Sequence, residues 1–334
     1  LDAEWVIAAD GARSPTRTRM GLPFPGQRFE DDQQLAFGRR FGEVEETPTL
    51  VFCARMVPYK RPADVAEAVR LANRGEGSLV ASLYTHDPAA AARMSLMSHQ
   101  SYGPTVAVPR ILKLLARQNI RATFFVPGFT ADCYPDTVRA IVDGGHEIGH
   151  HGYLHEPMQG IDAVTEARYL DRGLDALERV AGIRPVGYRA PWWETNWHTP
   201  ALLAERGFLY DSSLLDGDKP YRFAVAPDSA ETLIEIPVDW ALDDWEQYAF
   251  YPGVTGSGVI ESPAKVLEMW TLEAEAHHLE GGCFVLTNHP FISGRPSKAV
   301  ALERLIERVR SMDGMWVTTL ADIAAHAQQA CTET

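Results

Sequence analysis

From about residue 103 onward, apolar and polar positions alternate in blocks that switch between a helical and a strand period. In "VAVPRILKLLARQ", Ile111, Leu114 and Leu115 recur at helical spacing, and the β-rich run "RATFFVPG" follows at once. "YPDTVRAIVDGG" predicts a short helix stopped by glycine, and "HEIGHH" the next strand. In "DAVTEARYLDRGLDALERVAG", Leu170, Leu174, Leu177 and Ala181 fall on one face, which predicts an amphipathic helix. "PVGYRAP", "LIEIPVDW", "CFVLTNHP" and "MWVTTL" are further strand candidates, most of them separated by helices. Parallel strands need long crossovers, so repeated strand–helix units predict an α/β fold with a parallel sheet. A closed or nearly closed (β/α) barrel is the simplest way to bury such a sheet.

Residues 1–95 carry a weaker pattern: one strand in "TLVFCARMVPY", one helix in "RPADVAEAVRLANRG" ended by Gly75, and another strand in "SLVASLY". The expected division is therefore an irregular N-terminal segment, 1–95, and a barrel, 96–330. "THDPAAAARMSLMSHQSYG" connects the two.

Composition narrows the classes. With 46% hydrophobic and 23% charged residues the chain reads as globular. A net charge of −14 argues against a nucleic-acid partner, which needs basic patches. No run approaches the roughly 20 apolar residues of a membrane span. Cys53, Cys133, Cys283 and Cys331 form no C-x-x-C pair, so neither a disulfide framework nor a thiolate zinc site is expected. No signal-peptide pattern opens the sequence, and the expected setting is reducing and cytoplasmic. The composition is compatible with a homo-oligomer.

The chemistry concentrates at predicted strand ends. His151, Arg189, Asp239 and His289 each stand at or just beyond one, where α/β barrels build their sites. Four histidines lie in "GHEIGHHGYLHE", paired as His146/His150 and His151/His155. An H-x-x-x-H pair can bring two imidazoles to one ion, although a bare pair is more often solvated or satisfied in a core. His151 and His155 flank "GYL" beyond the strand, where a loop can turn both rings inward.

"RATFFVPG", "GHEIGHHGYLHE", "GYRAPWWE" and "TNHP", in this order, resemble the polysaccharide deacetylase (NodB-homology, carbohydrate esterase family 4) superfamily over about residues 97–326. "GYRAPWWE" and "IEIPVDWALDDW" are most similar to the branch that includes a Helicobacter peptidoglycan deacetylase. Related branches hold a metal-independent allantoinase and cyclic-imide hydrolases. The resemblance implies a distorted (β/α) barrel and a metal-dependent hydrolase of non-peptide C–N bonds. It makes His151 and His155 metal ligands, Arg189 the residue that orients a catalytic carboxylate, and His289 the general acid. Zn²⁺ is the expected ion. Chemistry agrees: two imidazoles and a carboxylate leave an ion open positions for water and a carbonyl oxygen.

One departure stands out. The family's first strand carries an aspartate motif, due near residues 72–85, where this chain reads "ANRGEGSLVASLYT". Glu76 is the only carboxylate there. Asp87 is the nearest aspartate and the candidate third ligand, and neither stands at a clear strand end. "EAVRLANRGEGSLVASLYTHDPAAAARM" resembles a piece of an aldehyde dehydrogenase, and "WVIAADGARSPTRTRMGLPFPG" a segment of flavin-dependent aromatic hydroxylases. Both lack their families' remaining machinery, so neither FAD nor NAD binding is expected. The N-terminal part reads as a fusion or a wrongly joined frame that replaces the barrel's own first strand.

Trp192, Trp193, Trp197, Trp240 and Trp245, with Tyr188 and Tyr248, gather around the expected site and suit a sugar ring or a flat heterocycle. Trp192, Trp193, Glu194, Trp240, Asp243 and Asp244 are the candidate substrate contacts, and Glu194 is also a candidate replacement carboxylate. Three functions are compatible with these residues: an N-deacetylase of a saccharide such as peptidoglycan; a cyclic-imide or ureide hydrolase; and an inactive barrel that binds saccharide without turnover.

Overall fold

The computed structural model describes residues 98, 99, 101–250 and 260–330. The chain divides into two compact units, Leu1–Ser98 and His99–Thr334, and the second holds the sheet and its helices. Asp87, Glu76 and the strands and helix expected before residue 98 lie outside the described residues.

The elements keep the predicted order: α1 (Val108–Gln118), β1 (Thr123–Val126), α2 (Gly128–Cys133), α3 (Pro135–Asp143), β2 (Glu147–His150), α4 (Ala163–Ala181), β3 (Gly187–Tyr188), α5 (Thr199–Glu205), β4 (Tyr210–Asp211), β5 (Tyr221–Ala224) and β6 (Thr232–Glu235). After them come α6 (Asp244–Tyr248), α7 (Pro263–Glu280), α8 (Pro290–Ser293), α9 (Pro296–Arg310) and α10 (Leu320–Ala330). The sheet order is β1-β2-β3-β4-β6-β5, parallel except for β5, which returns antiparallel on β6.

Helix α4 shows how sequence sets the architecture. Asp162 caps its first turn by accepting from Thr165 N, and Gly182 ends it in the left-handed region at φ 66°. Leu170, Leu174 and Leu177 are buried, as their spacing predicts. Leu170 and Leu174 pack with Tyr188, Leu203, Phe208 and Leu233 to join helices to sheet. The inner core is separate: Tyr210, Ile234, Ile236 and Val238 meet Val285, Leu320 and Ala324, so the C-terminal segments fold over the sheet's other face. Leu320 N donates to Thr123 Oγ1, and Ala321 N to Glu147 Oε2, which fastens the start of α10 against β1 and β2. The fold is thus a distorted (β/α) barrel.

Two strand expectations need correction. "CFVLTNHP" contributes only an isolated parallel bridge, Asp243↔Thr287, and "MWVTTL" forms no ladder among the described residues. Val285 and Leu320 lie in the inner core without strand pairing among the described residues, while Trp316 and Val317 are exposed. Strands β4 and β5 both lie outside the expected set; β4 has only two residues, too few to show a period. The alternating exposure of β5 marks a half-solvated edge strand, a signal that four residues carry only faintly.

Candidate active site

The site is built where β2 and β3 end. His150 closes β2, fully buried; its Nδ1 accepts from Gly152 N and its Nε2 meets Leu170 O. It is a core histidine. His146 is also buried, and its Nδ1 accepts from Ala122 N. Neither ring reaches a site.

His151, one residue later, points the other way. Its Nδ1 donates to Arg189 O at 2.7 Å, which fixes the tautomer that leaves Nε2 with a free lone pair. The His155 ring stands T-shaped to it, centroids 4.8 Å apart. Two imidazoles sharing an ion at about 2.1 Å and a near-tetrahedral angle have centres roughly 5 Å apart, so the pair has the spacing of a two-histidine ligand set. Burial, then the charge of His155 for His151 and that of His289 for His155, lowers both rings, His155 to about 4, so both are neutral at neutral pH as ligands must be.

Backbone strain gathers at this place. His155, Trp192 and Trp193 are three of the five non-glycine residues at positive φ among the described residues, at 60°, 61° and 55°. Such conformations cost about 1–3 kcal/mol each and persist where surrounding structure enforces them. Here they turn His155 toward His151 and carry Trp192 over it, ring centroids 5.5 Å apart.

The opposite wall comes from α6 and the segment before α8. His289 Nδ1 lies 2.7 Å from Asp244 Oδ1 and 3.4 Å from Asp243 Oδ1. Burial alone would lower this imidazole, but the two carboxylates overrule it and raise it to about 10. His289 is therefore protonated at neutral pH. Trp245 bridges the walls, its ring 6.3 Å from Trp192 and 5.6 Å from His289. Arg189 ties them from below. It gives Nε to Ser212 O, one terminal nitrogen to Ser212 Oγ and the other to Thr287 Oγ1, and it stacks on Phe125. It forms no ion pair among the described residues, so the carboxylate expected beside it is not found there.

Asp243, Asp244 and His289 also bring three potential ligand atoms within 4.8 Å, the one such group among the described residues. Asp244 does not suit an ion. It is fully buried, and its oxygens already accept from His289 N, His289 Nδ1, Ser293 N and Ser293 Oγ. The trio holds a proton, while the free Nε2 of His151 and the ring of His155 fit a divalent ion as two of its ligands.

Several substrate expectations change. Trp192 is about half exposed over the imidazoles and remains a candidate contact. Trp193 is buried in the inner core, with Trp240 stacked outside it at 4.2 Å, so its face is already covered. Asp244 is the partner of His289 and not a substrate contact. Asp243 is buried and accepts from Trp245 N, starting α6. Asp239 is exposed and caps the turn Trp240–Leu242 through Ala241 N. Glu194 and Trp197 are exposed on the loop after β3. Tyr188 and Tyr248 are buried. Sequence reasoning missed the Asp244–Ser293 lock and Ser212, because a serine ending a one-turn helix or following a two-residue strand carries no periodic signal.

A family profile described as polysaccharide deacetylase matches residues 100–210. A peptidoglycan deacetylase of Helicobacter pylori is 32% identical over 246 residues, covering 66% of this chain and 84% of that protein. A structure described as a polysaccharide deacetylase from Mycobacterium smegmatis is 55% identical with a TM-score of 0.70, covering 74% of this chain and 85% of that one. A PuuE allantoinase structure is 30% identical with a TM-score of 0.63, over 71% of this chain and 76% of that one. The profile spans His151 and Arg189, and with the 32% identical relative covered to 84% it shows that the chain belongs to the polysaccharide deacetylase family, hydrolases of carbon–nitrogen bonds other than peptide bonds.

Proposed function

We propose that the protein removes acetyl groups from an N-acetylated saccharide of the peptidoglycan type, using a divalent ion, zinc, held by His151 and His155. The observation that carries this reading is two neutral imidazoles facing a protonated His289 across a wall of tryptophan. The bound ion would supply Lewis-acid polarisation of the amide carbonyl and of a water.

The protein's own groups do the rest. His289, held by Asp244, carries a proton that can pass to the leaving nitrogen as the C–N bond breaks. Without that proton the departing group would be a poor amide anion. Arg189 keeps a buried positive charge under the site, for burial lowers it only to about 10. Trp192 offers an exposed face on which a pyranose ring can stack.

A cyclic-imide or ureide hydrolase is the second reading. It is favoured by the 30% identity to an allantoinase structure and by the absence, among the described residues, of a carboxylate joined to the two imidazoles. Acetate release from N-acetylated peptidoglycan, measured beside ring opening of a cyclic imide, decides between them. The deacetylase reading predicts acetate without ring opening. The reverse supports the second reading, and neither product means a barrel that binds without turnover.

A further inference from the structure

Two carboxyl groups that the proposed reaction does not use lie side by side under the site. Asp211 and Glu235 are Cα partners on β4 and β6, in the same row as Tyr188 on β3. Adjacent strands run about 4.8 Å apart, so the two acids are neighbours. Both are essentially without solvent exposure. Two buried carboxylates at this range cannot both stay ionised.

Their hydrogen bonds show which one holds the proton. Asp211 Oδ1 accepts from Ser212 N and from Ser213 Oγ, a pattern that favours the charged form. Glu235 Oε1 accepts from Ser213 N and Leu214 N, both at 2.9 Å, while its Oε2 is buried with no partner. The two N–H donors alone would favour the charged form, as on Asp211, but a buried Oε2 without any donor disfavours a negative charge there, so the proton falls on Glu235. Burial and the facing Asp211 both push Glu235 up, and backbone donors and Arg189 only partly oppose them. Burial raises Asp211 too, to about 6, with Glu166 adding to it, but the donors from Ser213 and Ser212 and the charge of Arg189 oppose the rise and leave it below Glu235; Tyr188 faces Asp211, Glu166 and Glu156, and Tyr221 faces Glu235, Asp216 and Asp211.

The turn that these acids hold carries the site. Ser212 takes two donors from Arg189, and Ser213 Oγ accepts from Ala190 N at 2.9 Å. Between these anchors, Arg189 O fixes His151 Nδ1. We propose that Asp211 and Glu235 are positioning residues that carry one proton between them, held on Glu235, and that the ionised Asp211 and neutral Glu235 together lock the Ser212–Leu214 turn on which Arg189 and His151 are set. The inference rests on the proposed reaction only for its kinetic arm.

Glu235→Gln and Glu235→Ala in the full chain provide the test. Gln keeps the acceptor for Ser213 and Leu214 and cannot ionise; Ala leaves both N–H groups without that acceptor. Because the folded state raises the Glu235 value, its stabilisation is full below the ordinary glutamate range and is lost as pH rises. The melting temperature of Glu235→Gln should therefore gain on wild type as pH climbs from about 4.3 toward the alkaline range. Its kcat should stay within about threefold of wild type, while Glu235→Ala should lose about tenfold or more in kcat with little change in KM. Parallel melting curves against pH for wild type and Gln would overturn the shared proton, as would a Gln variant as damaged as Ala. If the protein deacetylates nothing, the melting arm still decides, and if Ala does not fold, Gln alone does.

Discussion

At the residue scale the chemistry turns on His289 and its neighbour. Asp244 spends every oxygen on His289 and Ser293, so its charge is fixed in place and the imidazole it faces keeps its proton. The folded value of His289, about 10, lies above the ordinary histidine value of about 6.5, so the stability from this pair is full below the ordinary value and fades as pH rises to about 10. The same proton serves catalysis, which sets an alkaline limb on kcat. Asp244→Asn should move that limb to lower pH, and His289→Ala should slow turnover roughly 10²–10⁴-fold with little loss of bound metal. A pH–rate profile of Asp244→Asn that overlays wild type would show that the carboxylate does not govern the acid.

The sequence spoke unevenly at this scale. The pairing of His151 with His155 was legible from the loop "GYL" between them, although the strand signal "HEIGHH" runs one residue past the end of β2 at His150. Glu235 was not legible. A carboxylate inside "LIEIPVDW" reads as the polar side of an alternating strand, and its burial depends on Asp211 and the Ser-Ser turn, neither near it in the chain.

At the element scale, α4 and β2 are joined at a glycine. A Cβ on Gly173 would lie 2.2 Å from His150 Nε2 and 2.9 Å from Gly152 O. Replacing glycine by alanine in a helix ordinarily gains about 0.5–1 kcal/mol. Overpacking costs about 1–3 kcal/mol and sometimes more, so the contact should win. Gly173→Ala should thus lower the melting temperature by several degrees, read by calorimetry, and a rise would contradict this helix–strand contact. The amphipathic period announced α4, and the caps at Asp162 and Gly182 sharpened its ends. The short strands were harder. β3 and β4 have two residues each, too few for a period, and their place is set by parallel neighbours and by His150, Tyr188, Asp211 and Glu235 in one row. The last two strand candidates had the composition of strands but no ladder among the described residues.

At the scale of the whole molecule, the parallel order β1-β2-β3-β4-β6 puts the ends of β2 and β3 side by side, and the segments after β6 return to close the opposite wall. This topology carries His151, His155, Arg189 and His289 to one place from positions far apart in the chain. Four ordered motifs made the family legible, because each sits at such an end. What they could not supply is the carboxylate that the family places on its first strand, and Arg189, bound to neutral oxygens and an aromatic face, is the described group that bears on it. The proposed chemistry depends on the cation. Elemental analysis of the purified full chain after zinc loading and dialysis, beside His151→Ala treated alike, tests it most directly. Wild type should hold one ion per chain and the variant essentially none; wild type without bound metal, or a variant that keeps its ion, would contradict the two-histidine site.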